Sequence, residues 1–392
     1  MAKKPYLNSS CLQRRALRAL LVGSILAAPA VQSAFAQAAA DDSVLKTLSK
    51  STITGFVQGS YFYNLQDPPD RHSDGYLWNT TQNSASINKV KLTLASPGAA
   101  RSGEKWDAGY RLSLMLGEDA TILNTVGGRP GLENLREAYA EVNVPVGTGL
   151  NLRAGQLISL LNYESGDGGA ANGNFSQGYQ WYYTGNGPSS GVQLGYSFSD
   201  SIDFKIRVQN GMYDGALDRN NGKTLMASVG IKPDSATWVN LVGFGGDESP
   251  TLSIKGGSVL GGRQLSPAAN LGFEFDYFSF DPAVGATAKL WSVGAWLTYN
   301  FSPAVGVTLR GEYLDDQDGG GIKGIPHRFG DSSINSPDAN GDLSSLTLTL
   351  NIRPTPKIKI QPEIRYDRTS YTGGFDGEKD RVFVGAGITY SF

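Results

Sequence analysis

From Ser51 onward apolar residues alternate with polar or small ones, in runs of strand length broken by turn residues. The last run is the clearest. Val382, Val384, Ala386, Ile388, Tyr390 and Phe392 share one face, and Phe383, Gly385, Gly387, Thr389 and Ser391 share the other. A period of two predicts a strand with one greasy and one wet face. The length suits a strand tilted across a bilayer. In lipid an open sheet edge is not allowed, so a strand that ends the chain at Phe392 needs a closing partner.

Upstream runs repeat the pattern. Val90, Leu92 and Leu94 oppose Lys89, Lys91 and Thr93; Val305, Val307 and Leu309 oppose Arg310 and Glu312; Ile360, Ile364 and Tyr366 oppose Lys359, Glu363 and Arg365. Short turns, such as Pro145 to Gly149, Ser199 to Ser201 and Pro354 to Pro356, alternate with long Gly/Asn/Asp loops. That asymmetry predicts an all-β, transmembrane antiparallel β-barrel with short periplasmic turns and long extracellular loops. The alternation shows about fifteen runs, and an odd number cannot bring both ends to one side. A weak glycine-rich strand near Gly257 to Leu265 makes the count about 16. A fifth strand is expected over Leu150 to Leu161. After it, Asn162 to Pro188 is a long irregular stretch rich in Gly, Asn and aromatics.

The N-terminus reads as a secretory signal peptide over 1–36. Lys3, Lys4, Arg14, Arg15 and Arg18 form a basic region, Ala19 to Ala28 a short apolar one, and Ala34 to Ala36 a cleavage site. Residues 37–50 are then a short periplasmic segment and 51–392 a single barrel domain. The one cysteine, Cys11, falls inside the peptide, so no disulfide is expected. The peptide holds five of the 34 basic residues and none of the 36 acidic ones. The remainder is acidic, which argues against nucleic acid as a partner. No apolar run after Ala36 approaches the roughly 20 residues of a membrane-spanning helix.

Gly155-Gln156, Asn162 to Glu164, Asn174 to Tyr179, Gly191 to Tyr196, Val208 to Gly211, and Arg310 to Asp316 with Gly319 occur in order along the chain. Together they resemble the putative beta-barrel porin-2 (OmpL-like) family of bacterial outer-membrane proteins. The glycine-rich stretch after Gly245 departs from that pattern. The resemblance implies a pore-forming role and supplies neither a solute nor catalytic residues. The terminal Phe392 resembles the assembly signal of such barrels.

If the alternation holds, Lys89, Lys91, Arg111, Glu137, Glu141, Arg153, Lys205, Arg207, Arg310, Glu312, Glu363 and Arg365 face the lumen as candidate pore-lining charges. Charge rings set selectivity in a narrow pore; the same charges could simply neutralise each other across strands. Since both signs occur, a weak ion preference is expected. The stretch 162–188 is a candidate constriction loop, with Glu164 and Asp167 expected to face Arg111 and Arg153; an external loop is the alternative. Arg at Leu348 should destabilise, and Arg at Thr347 should be tolerated.

Other motifs carry little chemistry. Gly319, Gly321 and Gly324 form a GxGxxG with Pro326 where a helix would start, which excludes a dinucleotide turn. Asp338, Asn340 and Asp342 lack the glycine and glutamate of a calcium loop. His72 and His327 are the only histidines, and both sit in expected loops. No catalytic arrangement, metal or cofactor is expected. The expected function is an outer-membrane channel for passive diffusion of small hydrophilic solutes in a Gram-negative bacterium. The alternative is a plugged barrel serving as an adhesin or structural protein. Expected partners are outer-membrane lipid and lipopolysaccharide, the barrel assembly machinery, the solutes, and further copies of the chain in a homo-oligomer.

Overall fold

A computed structural model describes residues 50–73, 75, 79–96, 105–120, 132–213, 218, 220–317, 334 and 336–392. The expected signal peptide, the GxGxxG stretch and His327 lie outside these residues, as does all of 37–50 except Lys50.

The chain forms β1 (Thr52–Asn64), β2 (Ser84–Ser96), β3 (Asp107–Leu116), β4 (Leu135–Val144), β5 (Leu150–Leu157), α1 (Tyr179–Thr184), β6 (Ser189–Ser197), β7 (Ile202–Gln209) and β8 (Thr224–Asp234). It continues through β9 (Thr237–Ser249), β10 (Leu252–Gln264), β11 (Ala269–Pro282), β12 (Ala288–Asn300), β13 (Val305–Gln317), β14 (Gly341–Thr355), β15 (Ile358–Thr369) and β16 (Asp380–Ser391). Each strand pairs with its sequence neighbours, and β1 pairs with β16, so the sheet is a closed barrel. The seam is antiparallel, with Val57 opposite Tyr390 and Tyr61 opposite Ala386. Closure satisfies every ladder without an edge, which is what a lipid solvent demands.

The strand inferred from parity is β10. It pairs with β9 and β11 from Leu252 onward, earlier than the expected Gly257. Its glycines hide the alternation, because Gly256, Gly257, Gly261 and Gly262 contribute no side chain to either face. The fifth strand ends at Leu157 rather than Leu161, where its last partner is Ser189 at the start of β6. Two connections at the loop end, 250–251 and 283–287, are as short as the turns at the other end.

The period-two pattern survives in the burial. Leu346, Leu348 and Ile364 are exposed on the outer face, while Thr347, Thr349 and Arg365 are buried on the inner one. Two bulges break the phase. At Gln58/Gly59 the β1–β2 register shifts, and Asn88 and Lys89 are both buried. At Ser113/Leu114 the β3–β4 register shifts, and Arg136 and Glu137 are both buried. A bulge inserts one residue opposite none, so two consecutive side chains can turn to the same side.

An inward segment clamped to the barrel wall

The residues 158–188 join β5 to β6 without following the sheet. Asn162 and Gly168 take left-handed backbone conformations (φ 79° and 67°), which turn the chain away from the strand direction. The segment is largely buried, including the six residues of α1. A helix that short is unstable alone, so packing must hold it.

Inner-face carboxylates of the barrel cap the backbone of this segment. Glu363 accepts from the Phe175 and Ser176 amides at 2.8 and 3.2 Å, and Glu312 accepts from the Gln180 amide at 3.0 Å. Glu274 accepts from the Tyr163 amide at 2.7 Å. Basic side chains do the reverse: Arg310 donates to the Ser176 carbonyl at 2.6 Å and Arg365 to the Gln177 carbonyl at 2.8 Å. Lys359 donates to the Asn172 carbonyl. Asp276 accepts from Gln180 and Thr184 of α1 and from Ser292. Each bond to the segment replaces one its polar group would make with water, and a charged partner makes it stronger than a neutral one.

Shape matches these clamps. Tyr163 lies over Gly272 and packs against Trp296, with ring centroids 4.6 Å apart. Phe175 lies over Gly387 and stacks on Phe62 at 5.4 Å. A Cβ on either glycine would overlap the ring, so both wall positions need glycine for close approach rather than for backbone freedom. Tyr179, Trp181, Tyr182 and Tyr183 join Met226, Phe244, Phe278 and Leu290 in one apolar cluster.

The expected loop acids do not meet the expected partners. Glu164 accepts from Arg310 at 2.8 Å and from the Trp296 indole at 3.0 Å. Asp167 pairs with Arg136 at 2.6 Å and with Lys91. Arg111 pairs instead with Glu137 at 2.7 Å, and Arg153 with Glu141 at 3.0 Å. Neighbours on adjacent strands satisfy these two arginines, and the segment lies against other strands. Burial alone would raise the Asp167 carboxyl; the Arg136 and Lys91 charges outweigh it and hold the group well below the usual carboxylate range. Arg136 escaped sequence reasoning because strict alternation assigns it outward; only the bulge turns it in.

The candidate pore-lining charges divide sharply. Lys89, Lys91, Glu137, Glu141, Arg207, Arg310, Glu312, Glu363 and Arg365 are buried in contacts, whereas Arg111, Arg153 and Lys205 stay partly exposed. Lys89 pairs with Asp119, Lys205 with Asp203, and Arg365 and Arg381 both with Asp367. Alternation alone does not single out Asp367 and Arg381, though both sit on the inner phase of their strands. His72 lies in the β1–β2 loop, bridged to Thr81. Among the described residues no His/Cys/Asp/Glu group is arranged to hold a metal ion.

The family model for the putative beta-barrel porin-2, OmpL-like, matches residues 50–392. The chain belongs to that family. This porin has no match among curated protein sequences. Solved structures with the same fold include the anion-selective porin from Comamonas acidovorans, at 12% identity and TM-score 0.56, covering 87% of this chain and 99% of that one. The outer membrane channel DcaP of Acinetobacter baumannii is similar at 14% identity and TM-score 0.55, covering 87% and 97%. OprB of Pseudomonas putida is similar at 12% identity and TM-score 0.56, covering 89% and 96%. At these identities the likeness concerns the fold: the porin is a closed 16-strand antiparallel barrel of outer-membrane type.

Proposed function

We propose that the barrel is a passive channel for small hydrophilic solutes across the outer membrane of a Gram-negative bacterium, narrowed by residues 158–188. The observation that carries the narrowing is the set of clamps from Glu274, Glu312, Glu363 and Arg310 to the backbone of that segment. An external loop would have water for these amides and carbonyls, and would not need buried wall charges to cap them. Export by a signal peptide over 1–36, assembly through the terminal strand, contact with lipopolysaccharide and a homo-oligomeric state belong to the same reading. The candidate pore-lining role passes to the residues that keep solvent contact on β3, β5 and β7. Liposome swelling with a graded series of sugars tests the reading. Purified protein should admit small sugars with a sharp upper size limit. Swelling by none of them would favour the plugged barrel.

A further inference from the structure

We infer that the open side of this channel is an anion pathway, and that Arg111 and Arg153 form a site for small oxyanions such as carboxylates and phosphate. The inference rests on the channel reading above and adds the charge class of the solute.

On the β11–β15 side the segment 158–188 covers wall charges of both signs: Glu274, Asp276, Glu312 and Glu363 are buried beneath it, and so are Arg310, Lys359 and Arg365. On the opposite side the ion pairs are not symmetric toward water. The Arg111 side chain is 35% exposed and its partner Glu137 is 5% exposed. The Arg153 side chain is 37% exposed and its partner Glu141 is 8% exposed. Each pair therefore turns its cationic end to the lumen and its anionic end to the wall. An ion in the lumen meets the nearer charge first, and a low-dielectric wall focuses that field.

The cross-strand register adds an excess of positive charge. Glu141, Arg153, Gln193 and Arg207 lie side by side across β4 to β7. That row holds two guanidiniums and one carboxylate. The described hydrogen bonds of Arg207 run only to neutral acceptors: Gln193, the Ile158 carbonyl and Gln209. The Arg153 guanidinium sits over the Tyr139 ring, 5.1 Å from its centroid, which holds it in place without cancelling its charge. Guanidinium groups match oxyanions in geometry, and partial exposure leaves them donors to offer. Lys205 and Asp203 are exposed about equally, at 28% and 26%, and contribute little bias.

The test is the zero-current potential of the purified protein in a planar bilayer under a potassium chloride gradient. The expected sign is that of chloride permeation, with chloride favoured roughly tenfold or more, since one unneutralised charge about 5 Å away attracts chloride and repels potassium by about fourfold each in water. The preference should weaken as salt is raised, through screening. Phosphate and acetate, added separately at low salt, should each reduce chloride current, and the stronger of the two identifies the better-fitting oxyanion. Arg111→Gln with Arg153→Gln should move the potential toward potassium, and Arg111→Lys with Arg153→Lys should retain the chloride sign. Open channels with potassium preference or none in the wild type would overturn the inference and leave the channel standing. Absence of any conductance would overturn both.

Discussion

At the scale of single residues, Thr347 and Leu348 show both the strength and the limit of alternation. Leu348 faces outward and is exposed, so Leu348→Arg places a cation in lipid at a cost of roughly 2–4 kcal/mol near the midplane. Alternation alone would let Thr347→Arg pass as a lumen change. The structure corrects this: Thr347 is fully buried and its hydroxyl accepts from Arg310 at 3.0 Å. A second guanidinium there overfills the site and repels the first, so Thr347→Arg should also destabilise. Thr347→Ser, which keeps the acceptor, should unfold close to wild type. Reversible urea unfolding in lipid vesicles separates these outcomes; a stable Thr347→Arg variant would mean the inner face is looser than described.

Glu164 and Asp167 need a similar revision. As buried members of pairs with Arg310 and with Arg136 and Lys91, they hold the segment rather than present charge to solutes. Removing one partner of a buried pair leaves the other uncompensated, at about 3–5 kcal/mol. Glu164→Gln with Asp167→Asn should therefore raise current noise and protease nicking within 158–188, with little change in ion preference. A quiet channel with altered selectivity would place these acids in the lumen after all. Alternation could identify them as candidates but not their partners. Arg136 lies on a bulge, and Arg310 serves a segment more than a hundred positions earlier in sequence.

At the scale of elements, the strands were legible because each has a lipid face, and lipid admits only apolar side chains there. Even β10 followed from parity, although its glycines hide its register. The segment 158–188 was legible only as a break in that pattern. Its clamps are side chain to backbone contacts across the lumen, and no local spacing encodes them. Nor did composition reveal α1, whose Tyr179, Trp181, Tyr182 and Tyr183 are held by a wall cluster rather than by helix propensity.

The pH response of this element follows from Asp167. Its folded carboxyl is depressed, so the clamp contributes fully above the unfolded value near 3.9 and is lost only as pH falls through the lower folded value. Conductance should hold steady from pH 8 down to about 5 as far as this clamp is concerned. Opening of the segment within that window, read as a conductance rise, would contradict the assignment.

At the scale of the whole molecule, the β1–β16 seam that closes the barrel continues through Phe392. Gly55 and Phe392 exchange backbone hydrogen bonds of 3.0 Å in both directions, and the Phe392 ring covers Gly55. Deleting Phe392 removes the final rung of the β1–β16 seam and the aromatic over the glycine. The truncated chain should reach the membrane in reduced amount, with a lower unfolding temperature in gel-shift assays. Undiminished heat-modifiable barrel would show that the seam tolerates the loss. The terminal strand was the most legible part of the chain. What sequence could not show is the uneven filling of the interior, because burial on the inner face depends on where the segment lies.

Inward folding of residues 158–188, narrowing an open channel, is read in single-channel conductance. The wild type is to be compared with a barrel in which residues 163–184 are replaced by a short Gly/Ser link. Discrete steps are expected in both, with a clearly larger step in the shortened barrel. Equal steps from a correctly folded shortened barrel would contradict the narrowing.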